Sequence, residues 1–389
     1  MTRTVVCVVG TRPEVVKMAP VVRRLRAEGQ AFRVKLIATG QHRELLDRAL
    51  ADFGLEADCD LALMKPGQTL PELTAFALQG LSAAFADERP DLVLAQGDTT
   101  SVFCAALAAF YERVPFGHVE AGLRTGLAYA PFPEEKNRVL ASHLAELHFA
   151  PTEGARLNLL AEGIDASSIH LTGNTVIDAL RMVLRRNTPL PLRTATGRFV
   201  LVTAHRREHF GAPLEQICLA LRDVIARHPE ISLVFPVHPN PQVRGPVHRL
   251  LGNRARIHLI EPVSYPEFVA LMNASCMVIT DSGGVQEEAP ALGKPVVVMR
   301  EATERPETVE SQAARLVGPC REAIGAAVDE LLELEAWNGK PSRISSPFGD
   351  GWASERIARV VCARFGIEPG PIPAGMRLEF CALAAAARC

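Results

Sequence analysis

Short apolar runs rich in β-branched residues recur along the chain, separated by longer stretches in which apolar positions return every three or four residues. In the first half these runs are TVVCVV, VKLIAT, LVLAQ and FGHV; in the second they are RFVLVT, ISLVFPV, MVIT and VVVM. Unbroken apolar runs predict strands buried on both faces, and the amphipathic stretches between them predict the covering helices. Together they make βαβ units of a parallel sheet. The pattern occurs twice, so the expectation is an α/β protein of two domains with shared architecture and no short repeat. The segment NTPLPLRTATGR, residues 187–198, lacks apolar periodicity and is the candidate linker. The tail 367–389 opens on a Pro/Gly cluster, ends alanine-rich and is given no role.

Polar clusters sit mostly at the carboxyl ends of the runs: GTRPE, GQH, QGDTTS and HVEAGLRT in the first half, AHRRE, HPNP and DSGG in the second. Open parallel sheets bind ligands at that edge, so two such sheets facing each other would line one interdomain cleft. Composition narrows the ligand. The 389 residues are 48% hydrophobic and 22% charged, with a formal net charge of -2. That suits packed cores and gives no global basic field for nucleic acid or an anionic membrane, so anion binding must be local. Nine scattered cysteines without a C-x-x-C pair read as reduced thiols. With no leader-like start and no stretch of membrane-spanning length, the expected compartment is the cytoplasm. No metal-ligand spacing occurs, so no metal is expected, and there is no G-x-S-x-G elbow for covalent hydrolysis. The dinucleotide fingerprint and the P-loop are also missing, so no cofactor is expected.

The stretch DSGGVQEEAPALGKP, residues 281–295, carries the sharpest signal. Ser282, Gly283 and Gly284 leave backbone free for close approach at a helix start, where amides and dipole suit phosphate. Glu287 and Glu288 follow on the same helix. Capping is the plainer reading of both, but a carboxylate near a phosphate cradle also suits a ribose diol, so the motif points to a nucleotide. His205 with Arg206 and Arg207, and Arg305 beside Glu304, add cations to that edge. Each alone also fits a salt-bridged loop. Arg12 and Lys17 after Gly10 outline an anion site, or an ordinary strand-to-helix turn with Gly10 permitting a sharp bend. The first half supplies Asp98, Glu120 and Glu134, the residue types that proton transfer on a neutral sugar needs. The plainer readings are capping of the helix near Thr99 by Asp98, and a helix start after Pro133 for Glu134 and Glu135.

Taken in order, GTRPE, GQH, GDTT, HVEAGLRT, PEEKNR, GNTVIDAL, HRRE, HPNP, DSGGVQEEAPALGKPV, TERPE and FGDGWASERI resemble the motifs of the non-hydrolysing UDP-N-acetylglucosamine 2-epimerases, from about residue 4 to 366. The resemblance implies two Rossmann-like domains in a glycosyltransferase-B-type arrangement with an interdomain cleft. They would be an N-terminal domain over 1–175 and a UDP-binding domain over 176–352, with a final helix over 353–366 crossing back to the first. By motif, Arg12, Lys17, His205, Phe268, Ser282, Gly283, Gly284, Glu288 and Arg305 are implied as UDP-sugar contacts. Glu288 takes the ribose role, while Asp98, Glu120 and Glu134 form the acid/base set. Gln41, His42, Gln68 and His238 resemble parts of a site where some family members bind a second UDP-N-acetylglucosamine as activator. A homodimer is also implied. Two departures stand out: Gln96 precedes GDT where histidine is frequent, and Gln312 and Ala313 replace a Gly-Thr pair.

The implied reaction is elimination of UDP from carbon 1 with loss of the carbon 2 proton, followed by re-addition with protonation from the other face. Arg12, Lys17, His205 and Arg305 would stabilise the leaving phosphate. The product, UDP-N-acetylmannosamine, would supply mannosaminyl units for surface polysaccharide. Rival readings are a hydrolysing epimerase, an epimerase of a UDP-diacetamido uronic acid, a glycosyltransferase of the same fold, and a silent UDP-sugar-binding protein.

Overall fold

A computed structural model describes residues 2–40, 43–65, 67–191, 197–334 and 346–376. The chain divides into two compact units, one of residues 1–182 with 348–389 and the other of residues 183–347. The sequence places the corresponding boundaries at 175/176 and 352/353.

In the first unit the chain runs through β1 (Arg3–Val9), α1 (Arg12–Arg26), β2 (Phe32–Ala38), α2 (Arg43–Asp52), β3 (Cys59–Asp60), α3 (Leu70–Glu88) and β4 (Leu92–Gln96). It continues through α4 (Thr100–Tyr111), β5 (Phe116–Val119), α5 (Glu134–Leu144), β6 (Leu147–Ala150), α6 (Glu153–Ala161), β7 (Ile169–Leu171) and α7 (Thr175–Leu184), the last helix ending just past the division. The strands form one parallel sheet in the order β3-β2-β1-β4-β5-β6-β7. This is a doubly wound sheet whose strand order reverses between β1 and β4, where such sheets open a crevice for ligands. Val5, Val6, Cys7, Leu92, Val93 and Leu94 are fully buried, as central parallel strands require.

The second unit repeats the plan with β8 (Arg198–Thr203), α8 (Ala212–Arg227), β9 (Ile231–Pro236), α9 (Pro241–Leu251), β10 (Ile257–Ile260), α10 (Tyr265–Ala274) and β11 (Met277–Thr280). There follow α11 (Gly283–Ala291), β12 (Val296–Val298), α12 (Pro306–Glu310), β13 (Ala314–Leu316) and α13 (Arg321–Glu333). Its parallel sheet has the order β10-β9-β8-β11-β12-β13, with the reversal between β8 and β11. A core of Val200, Val202, Leu221, Leu233, Phe235 and Ile279 fills the space between sheet and helices.

The chain then returns to the first unit as α14 (Ala353–Arg364). Asp178 on α7 caps this helix, accepting hydrogen bonds from the Ala353 and Ser354 amides at 3.1 and 2.8 Å and from the Ser354 hydroxyl. Glu355 pairs with Arg24 of α1 and Arg364 with Glu146, so both ends of α14 are anchored. No helix among the described residues is long and apolar enough to cross a membrane.

Two backbone details correct or refine the sequence reading. Gly10 is needed for space, not for a sharp bend. A Cβ there would lie 2.5 Å from Ser101 Oγ and 2.6 Å from Thr39 Oγ1, so any side chain would push β1 away from α4. Gln312 adopts the left-handed φ of +59°, so the backbone conformation that favours glycine is kept at this position without glycine.

Candidate active site

In the first unit the polar groups gather at the carboxyl ends of β1, β4 and β5, around the strand-order reversal. Glu120, one residue beyond β5, is the centre of a buried group. Lys17 Nζ lies 2.8 Å from its Oε1 and 2.6 Å from its Oε2, and Gln96 Nε2 donates to Oε2 at 2.5 Å. Glu120 has a φ of +63°, unusual for a residue with a Cβ, and strain of this kind concentrates at functional sites. Lys17, read from sequence as a cation for phosphate, thus lies against a carboxylate and is 5% exposed.

Asp98 does not cap α4. Thr99 does, accepting from the Val102 amide, while Asp98 pairs with Arg138 of α5 and its carbonyl accepts from Asn137 Nδ2 at 3.0 Å. The Asp98 side chain keeps 30% exposure against 4% for Arg138, so a buried cation holds a carboxylate that solvent or ligand can reach. Glu134 is the first residue of α5, one turn before Arg138. Glu135 is structural: its carboxylate accepts from the Thr125 and Gly126 amides. Arg12 opens α1, half-buried.

Glu14, quoted in GTRPE but given no role from sequence, binds the strand-end loops together. It accepts from the Gly10 and Thr11 amides and from Thr99 Oγ1, the latter at 2.5 Å. The amides of the turn that leads into α1 are therefore already occupied by the protein's own carboxylate. Burial raises the Glu14 pKa from 4.5 to about 7, against the three hydrogen bonds and with help from the Asp98 charge. The folded state then binds this proton more tightly than the unfolded chain, so its contribution falls as pH rises from 4.5 to about 7 and is flat above. In Glu14→Gln the amide oxygen serves both backbone donors and the amide nitrogen can donate to Thr99. We expect the variant to gain stability relative to wild type across that window, by on the order of 1–3 kcal/mol. Denaturation midpoints of both proteins at about pH 5 and about pH 8 check this; a difference that stays constant with pH sinks it.

His118, two residues before Glu120, is fully buried and bonded to the Gly97 carbonyl at 2.7 Å and to Ser142 Oγ at 3.2 Å. Burial drives its pKa down to about 3, so it stays neutral and fixes the loop that leads to Asp98.

In the second unit the groups gather after β8 and β11, again at the reversal. Asp281 is wholly buried and its Oδ2 accepts from the His205 and Arg206 amides, both at 2.8 Å, and from His209 Nδ1 at 3.2 Å. His205 Nδ1 is 3.2 Å from the other oxygen. Burial works to raise the Asp281 pKa, but hydrogen bonds from His205, His209 and the Arg206 amide overcome it and hold the carboxyl below the usual range. The half-exposed His205 ring stacks on His238, with centroids 5.9 Å apart.

Ser282 is the N-cap of α11 and makes no side-chain cap bond. A Cβ on Gly284 would meet nothing closer than 3.9 Å, so backbone is open to a ligand there. Gly283 differs from the expectation. Its missing Cβ makes room for the Arg305 guanidinium, which would lie 2.8 Å away. Arg305, read as a cation facing phosphate, is 6% exposed and paired with Glu287 and with Glu304, which also pairs with Arg300. Glu287 is thereby explained as a counter-ion. Glu288 instead receives the Tyr265 hydroxyl at 2.5 Å, from the helix that also carries half-buried Phe268.

Of the proposed activator residues, Gln41 and His42 lie outside the described residues. Gln68 belongs to the first unit, its side chain accepting from the Lys65 amide, and His238 to the second. Sequence reasoning missed Arg138, Tyr265 and the binding role of Asp281, because each acts through a partner that is remote in the chain.

The family model described as UDP-N-acetylglucosamine 2-epimerase matches residues 23–362. A probable UDP-N-acetylglucosamine 2-epimerase of Ralstonia solanacearum is 50% identical over 374 residues, 93% of this chain and 100% of the relative. The UDP-N-acetylglucosamine 2-epimerase of Escherichia coli (strain K12) is 50% identical over 364 residues, 91% of this chain and 96% of that protein. Among solved structures, the UDP-GlcNAc 2-epimerase of Neisseria meningitidis bound to UDP-GlcNAc superposes with a TM-score of 0.87 at 44% identity, covering 92% of this chain and 100% of the other.

Proposed function

Because this chain belongs to the UDP-N-acetylglucosamine 2-epimerase family, we propose that it interconverts UDP-N-acetylglucosamine and UDP-N-acetylmannosamine without releasing free sugar. The observation that carries the reading is the group Lys17–Glu120–Gln96 with Asp98 close by in sequence at the ligand edge of the first sheet. A protein that only bound a nucleotide sugar would have no use for two carboxylates held by such costly burial of charge.

The carbon 2 proton of the sugar is not next to a carbonyl and is too weakly acidic for simple removal. Departure of UDP from carbon 1 makes its loss feasible, as the C2–H electrons form the C1–C2 double bond and the C1–O electrons leave with the phosphate. UDP then re-adds to the 2-acetamidoglucal while a proton arrives at the opposite face. Carboxylates suit the proton steps, with Asp98, Glu120 and Glu134 as the set. Arg12, His205 and the α11 amides suit the developing charge on phosphate. Lys17 serves in part as the counter-charge of Glu120. Glu288 binds the ribose diol, oriented by Tyr265, and Phe268 lies beside the uracil. Arg305 acts on the phosphate cradle from behind, through Gly283.

The assembly is a homodimer in this reading, with exposed Phe76, Phe110 and Tyr111 on α3 and α4 as apolar surface for a second copy. The protein works in the cytoplasm, where nucleotide sugars are made, and feeds surface polysaccharide.

Proton NMR of the protein with UDP-N-acetylglucosamine in D₂O tests the central reaction. We expect UDP-N-acetylmannosamine to appear with deuterium at carbon 2. Free N-acetylmannosamine would replace this reading by the hydrolysing one, and an unchanged spectrum would overturn it. Rate against substrate concentration in the same assay reads activation by a second substrate molecule as a sigmoidal curve.

A further inference from the structure

We propose that Gln96 is a positioning residue for Glu120, holding it in the ionised, base-ready form from the end of the neighbouring strand. Gln96 is the last residue of β4 and is paired in register with Val119, the residue before Glu120. It is 4% exposed. Its Nε2 donates to Glu120 Oε2 at 2.5 Å, whereas its Oε1 is buried with no hydrogen-bond partner.

A glutamine buried for structural reasons alone would have both ends of its amide satisfied. Here one end is satisfied, and only by the candidate base. An ionised carboxylate accepts and never donates, so it orients the amide with nitrogen inward. In return the amide, with Lys17 on the other side, favours the charged form of Glu120. Gln96 itself does not titrate. The two donors therefore fix Glu120 at both oxygens of a residue whose backbone is already set by φ +63°.

The inference rests on the epimerase reading above and has a separable test. The pH dependence of kcat/KM for UDP-N-acetylglucosamine epimerisation is measured for wild type, Gln96→Met, Gln96→Glu and Gln96→His, with UDP affinity by calorimetry and melting temperature alongside. Loss of the donor in Gln96→Met is expected to move the acidic limb upward by about one pH unit and to lower kcat about 10- to 100-fold. Gln96→Glu, which adds a like charge, moves the limb further. Gln96→His retains an N–H donor and returns the limb towards wild type, and UDP affinity stays unchanged throughout. A wild type without epimerase activity overturns the epimerase reading and this inference with it. An active wild type whose acidic limb is unmoved in Gln96→Met overturns this inference alone, whether or not kcat, melting temperature or UDP affinity fall.

Discussion

Asp98→Asn is expected to slow epimerisation about 10²- to 10⁴-fold, the range lost when one positioned acid/base group is removed. Asparagine has the same shape, so the Asn137 contact to the backbone carbonyl and the Thr99 cap of α4 can persist. What disappears is the proton-transferring carboxyl and most of the attraction to Arg138, whose charge keeps Glu135 as an acidic neighbour at 3.5 Å. The residues read as the phosphate cradle, 282–284, belong to the other sheet, so UDP affinity should change little. Deuterium incorporation at carbon 2, followed by NMR beside calorimetric UDP binding, separates the two. Unchanged turnover would remove Asp98 from the chemistry, and equal losses in both measurements would mean it acts on binding.

The second large effect is expected at Asp281, which sequence marks only as the first letter of DSGG. In Asp281→Asn the amide oxygen can still accept from the His205 and Arg206 amides and from His209, but the NH₂ end then faces His205 Nδ1, which the other carboxylate oxygen now holds. A buried carboxylate at Nδ1 keeps the proton on that nitrogen and leaves Nε2 to meet a ligand; a donor there reverses the tautomer. We expect kcat to fall about 100-fold or more, by the logic that makes the carboxylate of an Asp-His pair indispensable in other enzymes, with a modest drop in melting temperature. If His205→Asn is inactive while Asp281→Asn stays within a few-fold of wild type, the pairing has no catalytic consequence.

The central strands were legible because burial on both faces demands continuous apolar sequence, and β1, β4, β8 and β11 have it. The edge strands β3, β7, β10 and β13 escaped notice. Each pairs on one side only, is two to four residues long and is half-buried, so little in composition marks it. The interior strand β6 also escaped, although its LHFA run is buried throughout. Site chemistry was legible as residue types at strand ends. Its pairing was not. Lys17 meets Glu120 across 103 residues and Tyr265 meets Glu288 across 23, and nothing in a local pattern says which cation will neutralise which acid. The same gap explains Arg305, whose sequence neighbourhood suggests an open phosphate site although Glu287 and Glu304 enclose it.

The return of α14 to the first unit bears on how the protein is made. Asp178 and Arg24 leave the ribosome long before Ala353 and Glu355, their partners on α14, and the whole of the second unit is synthesised in between. At about 5–20 residues per second, the earlier unit waits roughly ten to forty seconds for its last helix. During that interval the α1 surface that receives α14 stands uncovered, as does the side of Phe32, at the start of β2, that meets Phe365. A nascent chain stalled before residue 353 should therefore be the form most in need of a chaperone, and release from that dependence should coincide with emergence of the final helix.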